Sequence, residues 1–235
     1  MQTAMSEKPT WGTWYIGFVE TGAHYLALLP MNITTTTNNT LMSIIMAWIF
    51  CSISTSLPHW RVCYLNESTF SEPTTAFVGI WRVCIYHQNI KPSNASGCHE
   101  YTYKDSFVPL DIHIIQHLLL GSNILGLIGT VVTIFALRNV YTRKVQKNVT
   151  YNPFITSAIL NTIVSIFALV AVIFNYYSVT HETGIAFPPS FAMPSQPTNQ
   201  RIGIANVVVG LASFMFVGSG ISSFTSPAEK QEYLS

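Results

Sequence analysis

Residues 113–137 read HIIQHLLLGSNILGLIGTVVTIFAL, a stretch with no Lys, Arg, Asp or Glu. A helix of about 20 mostly apolar residues crosses roughly 30 Å of hydrocarbon, so this stretch is long and uncharged enough to span a bilayer. Residues 154–176 (FITSAILNTIVSIFALVAVIFNY) and 202–224 (IGIANVVVGLASFMFVGSGISSF) share its character. Their scattered Gly, Ala, Ser and Thr let helices approach closely in lipid. A fourth stretch, residues 39–57 (NTLMSIIMAWIFCSISTSL), is also uncharged, is rich in Ser and Thr, and stops before Pro58. The composition agrees. Only 9% of the 235 residues are charged and 49% are apolar, whereas soluble domains carry roughly 25% charged residues. So few charges do not coat a globule of this size, and lipid must cover much of the chain.

Orientation follows from the cations. Residues 138–153 hold Arg138, Arg143, Lys144 and Lys147 and no acid, so the positive-inside rule places this loop in the cytoplasm. Both termini then lie inside, and residues 58–112 and 177–201 are extracellular. A net charge of +1 gives no basic stripe for nucleic acid, so membrane lipid is the expected environment and nucleic acid is not a partner. Residues 1–30 form an extension of uncertain structure. Residues 11–30 are apolar enough to touch a membrane, but Glu20 and His24 sit mid-stretch, where ionisable groups are costly, so the stretch reads as an amphipathic or irregular extension, with a fifth span that would put the amino terminus outside as the alternative. Residues 225–235 form a short cytoplasmic tail.

The mass outside the membrane is therefore the segment 58–112. Residues 60–65 (WRVCYL) and 77–86 (FVGIWRVCIY) are dense in β-forming side chains, and residues 99–103 (HEYTY) alternate polar and aromatic. Glu72, Pro73, Lys91, Pro92, Ser93, Asn94 and Gly97 supply the turns between them. The expectation is a small antiparallel sheet standing on the membrane. So small a unit needs a staple. Cys84 and Cys98 flank one turn in an oxidising compartment, and closing such a loop contributes roughly 3 kcal/mol. Cys63 is left over, because Cys51 lies within the first span. The sequons at Asn66 and Asn94 fall outside the cell and are candidate glycosylation sites. Those at Asn148, Asn32 and Asn38 fall on the cytoplasmic side and are expected to stay unmodified.

At this point the residues resemble the claudin family. Trp60 follows the first span, and Gly79-Ile80-Trp81, Cys84 and Cys98 come after it in the order and setting of the claudin signature of Trp, Gly-Leu-Trp, Cys and Cys. Tyr103-Lys104-Asp105-Ser106-Phe107 and Leu110-Asp111-Ile112 resemble the entry to the second claudin helix, and the resemblance covers about residues 31–224. It implies a mainly α membrane protein, a left-handed bundle of four transmembrane helices with a small extracellular β-sheet of about five strands. It also implies a junction protein of the plasma membrane that self-associates with itself and with other claudins, in cis and in trans, to control paracellular permeability. In this comparison Trp60, Gly79, Ile80 and Trp81 anchor the sheet, Cys84 and Cys98 staple it, and His99, Glu100 and Tyr101 are candidates to line a pore. The alternative is an auxiliary subunit that modulates a channel or receptor, since relatives with the same signature do that. A tetraspanin would carry its large loop between the last two spans, and here it lies between the first two.

Several features depart from the claudin pattern. The interval from Cys84 to Cys98 is longer than usual, Gln116 stands where the family often has Arg, and residues 1–30 have no counterpart. The chain ends Tyr233-Leu234-Ser235 in place of the Tyr-Val that binds PDZ scaffolds, which speaks against scaffold binding.

No catalytic chemistry is expected. The sequence holds no CxxC, no GxSxG, no phosphate-binding glycine loop and no pair of acids inside the spans. No cofactor is called for. His113 and His117 share a helix face, but a third ligand is missing, so no metal site is expected. His99 beside Glu100 suits either a pH-responsive pore wall or an ordinary solvated strand. Asn123, Asn161 and Asn206 are expected to bond between helices.

Overall fold

In a computed structural model of the chain, residues 35–65, 74–87, 97–101, 108–141, 147–181, 187 and 199–232 are described. The chain divides into two units, Met1–Thr35 and Thr36–Ser235, and these residues fall almost wholly in the second. The elements are α1 (Thr35–Ser56), β1 (Arg61–Leu65), β2 (Thr74–Val78), β3 (Arg82–His87), β4 (Gly97–Glu100), α2 (Leu110–Tyr141), α3 (Lys147–Thr180), β5 (Asn199–Ile202) and α4 (Ile204–Glu232).

Backbone polar groups find no water in hydrocarbon, so an uncharged apolar stretch satisfies them internally as a helix. All four helices are long and apolar enough to cross a membrane. Large apolar side chains point away from the bundle, among them Ile128 and Phe135 on α2, Ile166 and Ile173 on α3, and Leu211 and Phe214 on α4. Small side chains point inward: Ala158, Ala168 and Ala171 of α3 and Ala205 and Ala212 of α4 are fully buried. The backbones of α2 and α3, and of α3 and α4, accordingly approach most closely. Hydroxyl groups join the same helices, Thr133 to Ser157 across α2 and α3, and Ser165 Oγ donating to the Ser213 carbonyl of α4 at 2.9 Å.

Helix α1 is held differently. Trp48 Nε1 donates to the Asn123 carbonyl at 3.0 Å, Ser52 Oγ donates to Asn123 Oδ1 at 2.6 Å, and Asn123 Nδ2 donates to Thr55 Oγ1 at 3.1 Å. Asn123 thus bridges helices, as the sequence suggests. Asn161 does not follow suit, since its amide donates to Ser157 one turn earlier on its own helix.

The five strands form one antiparallel sheet in the order β4-β3-β2-β1-β5. Alternation along each strand assigns the two faces. Arg61, Cys63, Ala76, Val78, Val83 and Ile85 are all buried on one face, where Cys63 pairs with Ala76 and Ala76 with Ile85. Tyr101, Val108, Ile112 and Phe187 close over this face. The other face carries His59, Phe77 and Tyr86 in a run of ring contacts, with centroids 4.7 and 5.2 Å apart. Arg201 lies over the Tyr64 ring at 5.6 Å.

Three sequence expectations are corrected here. The apolar run 77–86 is two strands, because the backbone N–H of Gly79 bonds back to the Arg82 carbonyl and reverses the chain. The strand expected at 99–103 lies at Gly97–Glu100, where Cys98 pairs with Cys84. Ile202, read as the start of the last span, is the final residue of β5, and α4 begins only at Ile204. The extension 1–30, the turn residues Glu72, Pro73 and Lys91 to Asn94, the sequon Asn66 and the end Tyr233-Leu234-Ser235 lie outside the described residues.

Candidate functional site: the joint between sheet and bundle

A helix ends with four carbonyls that have no partner within it. At the end of α1 the sheet supplies donors for two of them. Trp60 Nε1 donates to the Ser54 carbonyl and Arg82 Nη2 to the Ser56 carbonyl, each at 2.8 Å. Trp60 is 2% exposed and belongs to the same core cluster as Ile44, Ala47 and Cys51 of α1 and Ile115 and Leu119 of α2. The aromatic that begins the signature is therefore both a cap for α1 and a plug in the bundle.

The Gly79-Ile80-Trp81 turn makes the second contact. A Cβ on Gly79 would stand 2.7 Å from Pro58 Cα and 2.9 Å from the carbonyl oxygens of Leu57 and Arg82. Backbone on three sides leaves no way to yield, so glycine alone fits. Ile80 is buried in the bundle core and Trp81 packs partly buried against it. The Ile80 carbonyl accepts from Gln116 Nε2 of α2 at 2.8 Å, and the Trp81 carbonyl accepts from the Tyr101 N–H at 2.7 Å. Gln116 is 2% exposed, and His113 Nδ1 lies 3.0 Å from its Oε1. Gln116 is thus the residue of α2 that grips the Gly79-Ile80-Trp81 turn.

Arg61 forms the third contact. Its side chain is 2% exposed, and its Nη2 lies 2.7 Å from Asp111 Oδ2 at the start of α2. Its Nε donates to Asn175 Oδ1 of α3 at 2.7 Å. Ser178 Oγ donates to the same Asp111 oxygen, and Asn175 Nδ2 donates to the Trp60 carbonyl at 3.4 Å. One strand is thereby tied to two helices. A buried charge is tolerated only when paired and hydrogen-bonded in this way.

Strand β5 closes the joint from the other side of the chain. Gly203 donates to the Trp60 carbonyl at 2.8 Å and Ala205 to the His59 carbonyl at 3.1 Å. A Cβ at Gly203 would fall 2.0 Å from the His59 carbonyl oxygen. The chain can therefore pass from β5 on the sheet into α4 in the bundle only through a glycine.

The structure brings the signature residues Trp60, Gly79, Ile80 and Trp81 together at this joint. Cys84 and Cys98 are disulfide-bonded across β3 and β4. The pore candidates do not share one environment. Glu100 is exposed and His99 half-buried beside Val83. Tyr101, in contrast, is 7% exposed. It packs with Ile112 and Phe187 beneath the sheet, which removes its side chain from any water-filled wall. Burial raises its phenol above the usual range, the neighbouring Cys63 adds to this, and Arg61 opposes it. The leftover Cys63 is also buried, and burial pushes its thiol up to about 12 against the pull of Arg61. The candidate glycosylation sites Asn66 and Asn94 lie outside the described residues. Among the described residues no three His, Cys, Asp or Glu side chains converge.

Arg61, Gly203, Asn175 and Gln116 carry much of the joint without standing out as site residues in the sequence. Two local signals mark the first two of them: an Arg directly after the anchoring Trp, and a Gly directly before the uncharged stretch 204–224. The partners of Arg61 lie 50 and 114 residues away, too far for any local pattern to reveal. Compared with known protein families, residues 45–222 match the family described as PMP-22/EMP/MP20/claudin tight junction.

Proposed function

The chain belongs to the PMP-22/EMP/MP20/claudin family, and from that premise we propose that it self-associates within and between plasma membranes into tight-junction strands that control paracellular permeability. In this reading the sheet is extracellular, both termini and residues 138–153, which join the end of α2 to the start of α3, are cytoplasmic, and the partners are copies of itself and other claudins. The observation that carries the reading is the joint. A sheet that meets a neighbour must transmit force to its anchor, and here the sheet is fixed to three helices: to α1 by Trp60 and Arg82, to α2 by Gln116 and Asp111, and to α3 by Asn175. β4 lies at one end of the sheet order, with Glu100 exposed and His99 half-buried, which supports reading these two as the pore-wall candidates.

Expression in cells that lack junction strands, followed by freeze-fracture imaging, tests the reading. Strands at cell contacts are expected, and diffuse membrane staining without strands would count against it. For the pore wall, dilution potentials across monolayers are expected to shift when His99→Ala replaces the wild type, while Tyr101→Phe leaves them unchanged. Deglycosylation tests the orientation, with a size shift that depends on Asn66 or Asn94 and not on Asn148.

A further inference from the structure

The register divides the side chains of the sheet between its two faces. Glu100 stands opposite Arg82, Cys84 opposite Phe77, Phe77 opposite Val62, and Val62 opposite Arg201. Alternation along the strands then sets Glu100, Tyr86, Thr75, Phe77, Tyr64 and Arg201 on the face turned away from Tyr101. All six are exposed or half-buried. The two ions among them sit at opposite edges, Glu100 on β4 and Arg201 on β5, and neither makes an ion pair among the described residues. Arg82, beside Glu100, is turned to the Ser56 carbonyl, and Arg201 lies over the Tyr64 ring.

We propose that this face docks on the same face of a second copy, about a two-fold axis that runs along β2. β2 is the central strand of the five, so rotation about it carries β4 of one copy over β5 of the other. Glu100 of each copy then meets Arg201 of the other, and both charges are answered twice by one symmetric contact. Tyr64, Thr75 and Tyr86 form one cross-strand row, so Tyr86 meets Tyr64 across the seam and Thr75 meets its own counterpart. An axis across the strands would instead set Glu100 over Glu100 and Arg201 over Arg201. Trp60, Gly79 and Gly203 lie at one end of their strands, so an axis along the strands keeps both bundles on the same side, as two copies in one membrane require. Five strands at about 4.8 Å make a face only about 24 Å across, smaller than a stable soluble dimer buries, so the contact belongs to copies concentrated in a membrane. Glu100 is thereby drawn into the seam, and His99, on the other face of β4, is left as the pore-wall candidate. The pairing rests on the proposed self-association and names the surface that carries it.

Thiol crosslinking of the full-length chain in cell membranes tests it. Cys51 and Cys63 are buried and Cys84 is bonded to Cys98, so the wild type is expected to give no product. Thr75→Cys is expected to give a dimer with a bismaleimide spanning about 8 Å, matched to sheets packed about 10 Å apart. Asn199→Cys, in the same row but on β5, is expected to give none, because the two copies of this residue stand about 20 Å apart. No product at Thr75→Cys, or an equal one at Asn199→Cys, would overturn the proposal. Glu100→Arg and Arg201→Glu are each expected to lower the Thr75→Cys yield roughly three- to tenfold, and together to restore it to within about twofold. A double variant no better than the singles would overturn the axis. Freeze-fracture of the same cells separates this pairing from the reading it rests on. Strands without the crosslink would overturn the face and leave self-association standing, the crosslink without strands would support the face alone, and the absence of both would overturn both.

Discussion

The joint and the membrane bundle hold together by opposite means. Within the bundle, α2, α3 and α4 meet through alanines and hydroxyls, and backbones come close because little stands between them. Lipid is as apolar as their side chains, so association rests on contact and on a few hydrogen bonds worth well under 2 kcal/mol each. At the joint an ion pair, a second arginine, an indole, two glycines and two carboxamides meet in fixed geometry. Each contact there is directional and has no substitute. The bundle should therefore absorb single substitutions that the joint does not.

The largest effect is expected at Gly203. Alanine there places a methyl 2.0 Å from the His59 carbonyl and forces β5 from β1. Destabilisation by more than about 4 kcal/mol is expected, read as loss of the monodisperse protein in detergent. Recovery of a well-folded Gly203→Ala protein would break the comparison at its strongest point.

Next comes Asp111→Ala, which strips the buried guanidinium of its counter-charge. Breaking a buried pair by removing one partner costs about 3 kcal/mol or more, so a fall in melting temperature of roughly 6–12 °C is expected for a chain of this size. Asp111→Asn keeps an acceptor for Ser178 and Arg61 and should fall between this variant and the wild type. In the bundle, Asn123→Leu removes the side-chain bonds to Ser52 and Thr55 but leaves the Trp48 bond, which uses the backbone carbonyl. A cost near 0.6 kcal/mol is expected, visible as a shift of about 1–2 °C.

The smallest effect in the native state, and the sharpest report on the joint, concerns Cys63. With its pKa pushed up to about 12, the thiol stays protonated at neutral pH, and thiolate-directed reagents need the ionised form. Because the folded pKa lies above the unfolded value of about 9, this thiol adds no pH dependence to stability until the medium rises past that unfolded value, and above it stability declines. Labelling of Cys63 at pH 7.5 is expected only after unfolding in the wild type. In Asp111→Ala it is expected at lower denaturant than the loss of helical signal, if the sheet leaves the bundle before the bundle melts. Simultaneous loss of both would show that joint and bundle unfold as one unit.

The spans were legible because burial in lipid imposes one chemistry on every residue of a long stretch, and the absence of charge over residues 113–137 needs no partner to be recognised. The disulfide was legible from two cysteines flanking a turn. Strand limits were not, since the run 77–86 is uniformly β-forming and only the bond from Gly79 to Arg82 reveals that it reverses. Tyr101 looked like its neighbours His99 and Glu100, yet the closure of Phe187 and Ile112 beneath the sheet buries it. Sequence alone thus marked four stretches long and apolar enough to cross a membrane and the motif that resembles the family signature, because hydropathy and spacing are local properties. Only the tertiary structure decided that Arg61, Asp111 and Asn175 share one site, and that Gly203 is the passage from sheet to bundle. Those facts depend on which distant backbone comes to lie against each residue, and no composition encodes that.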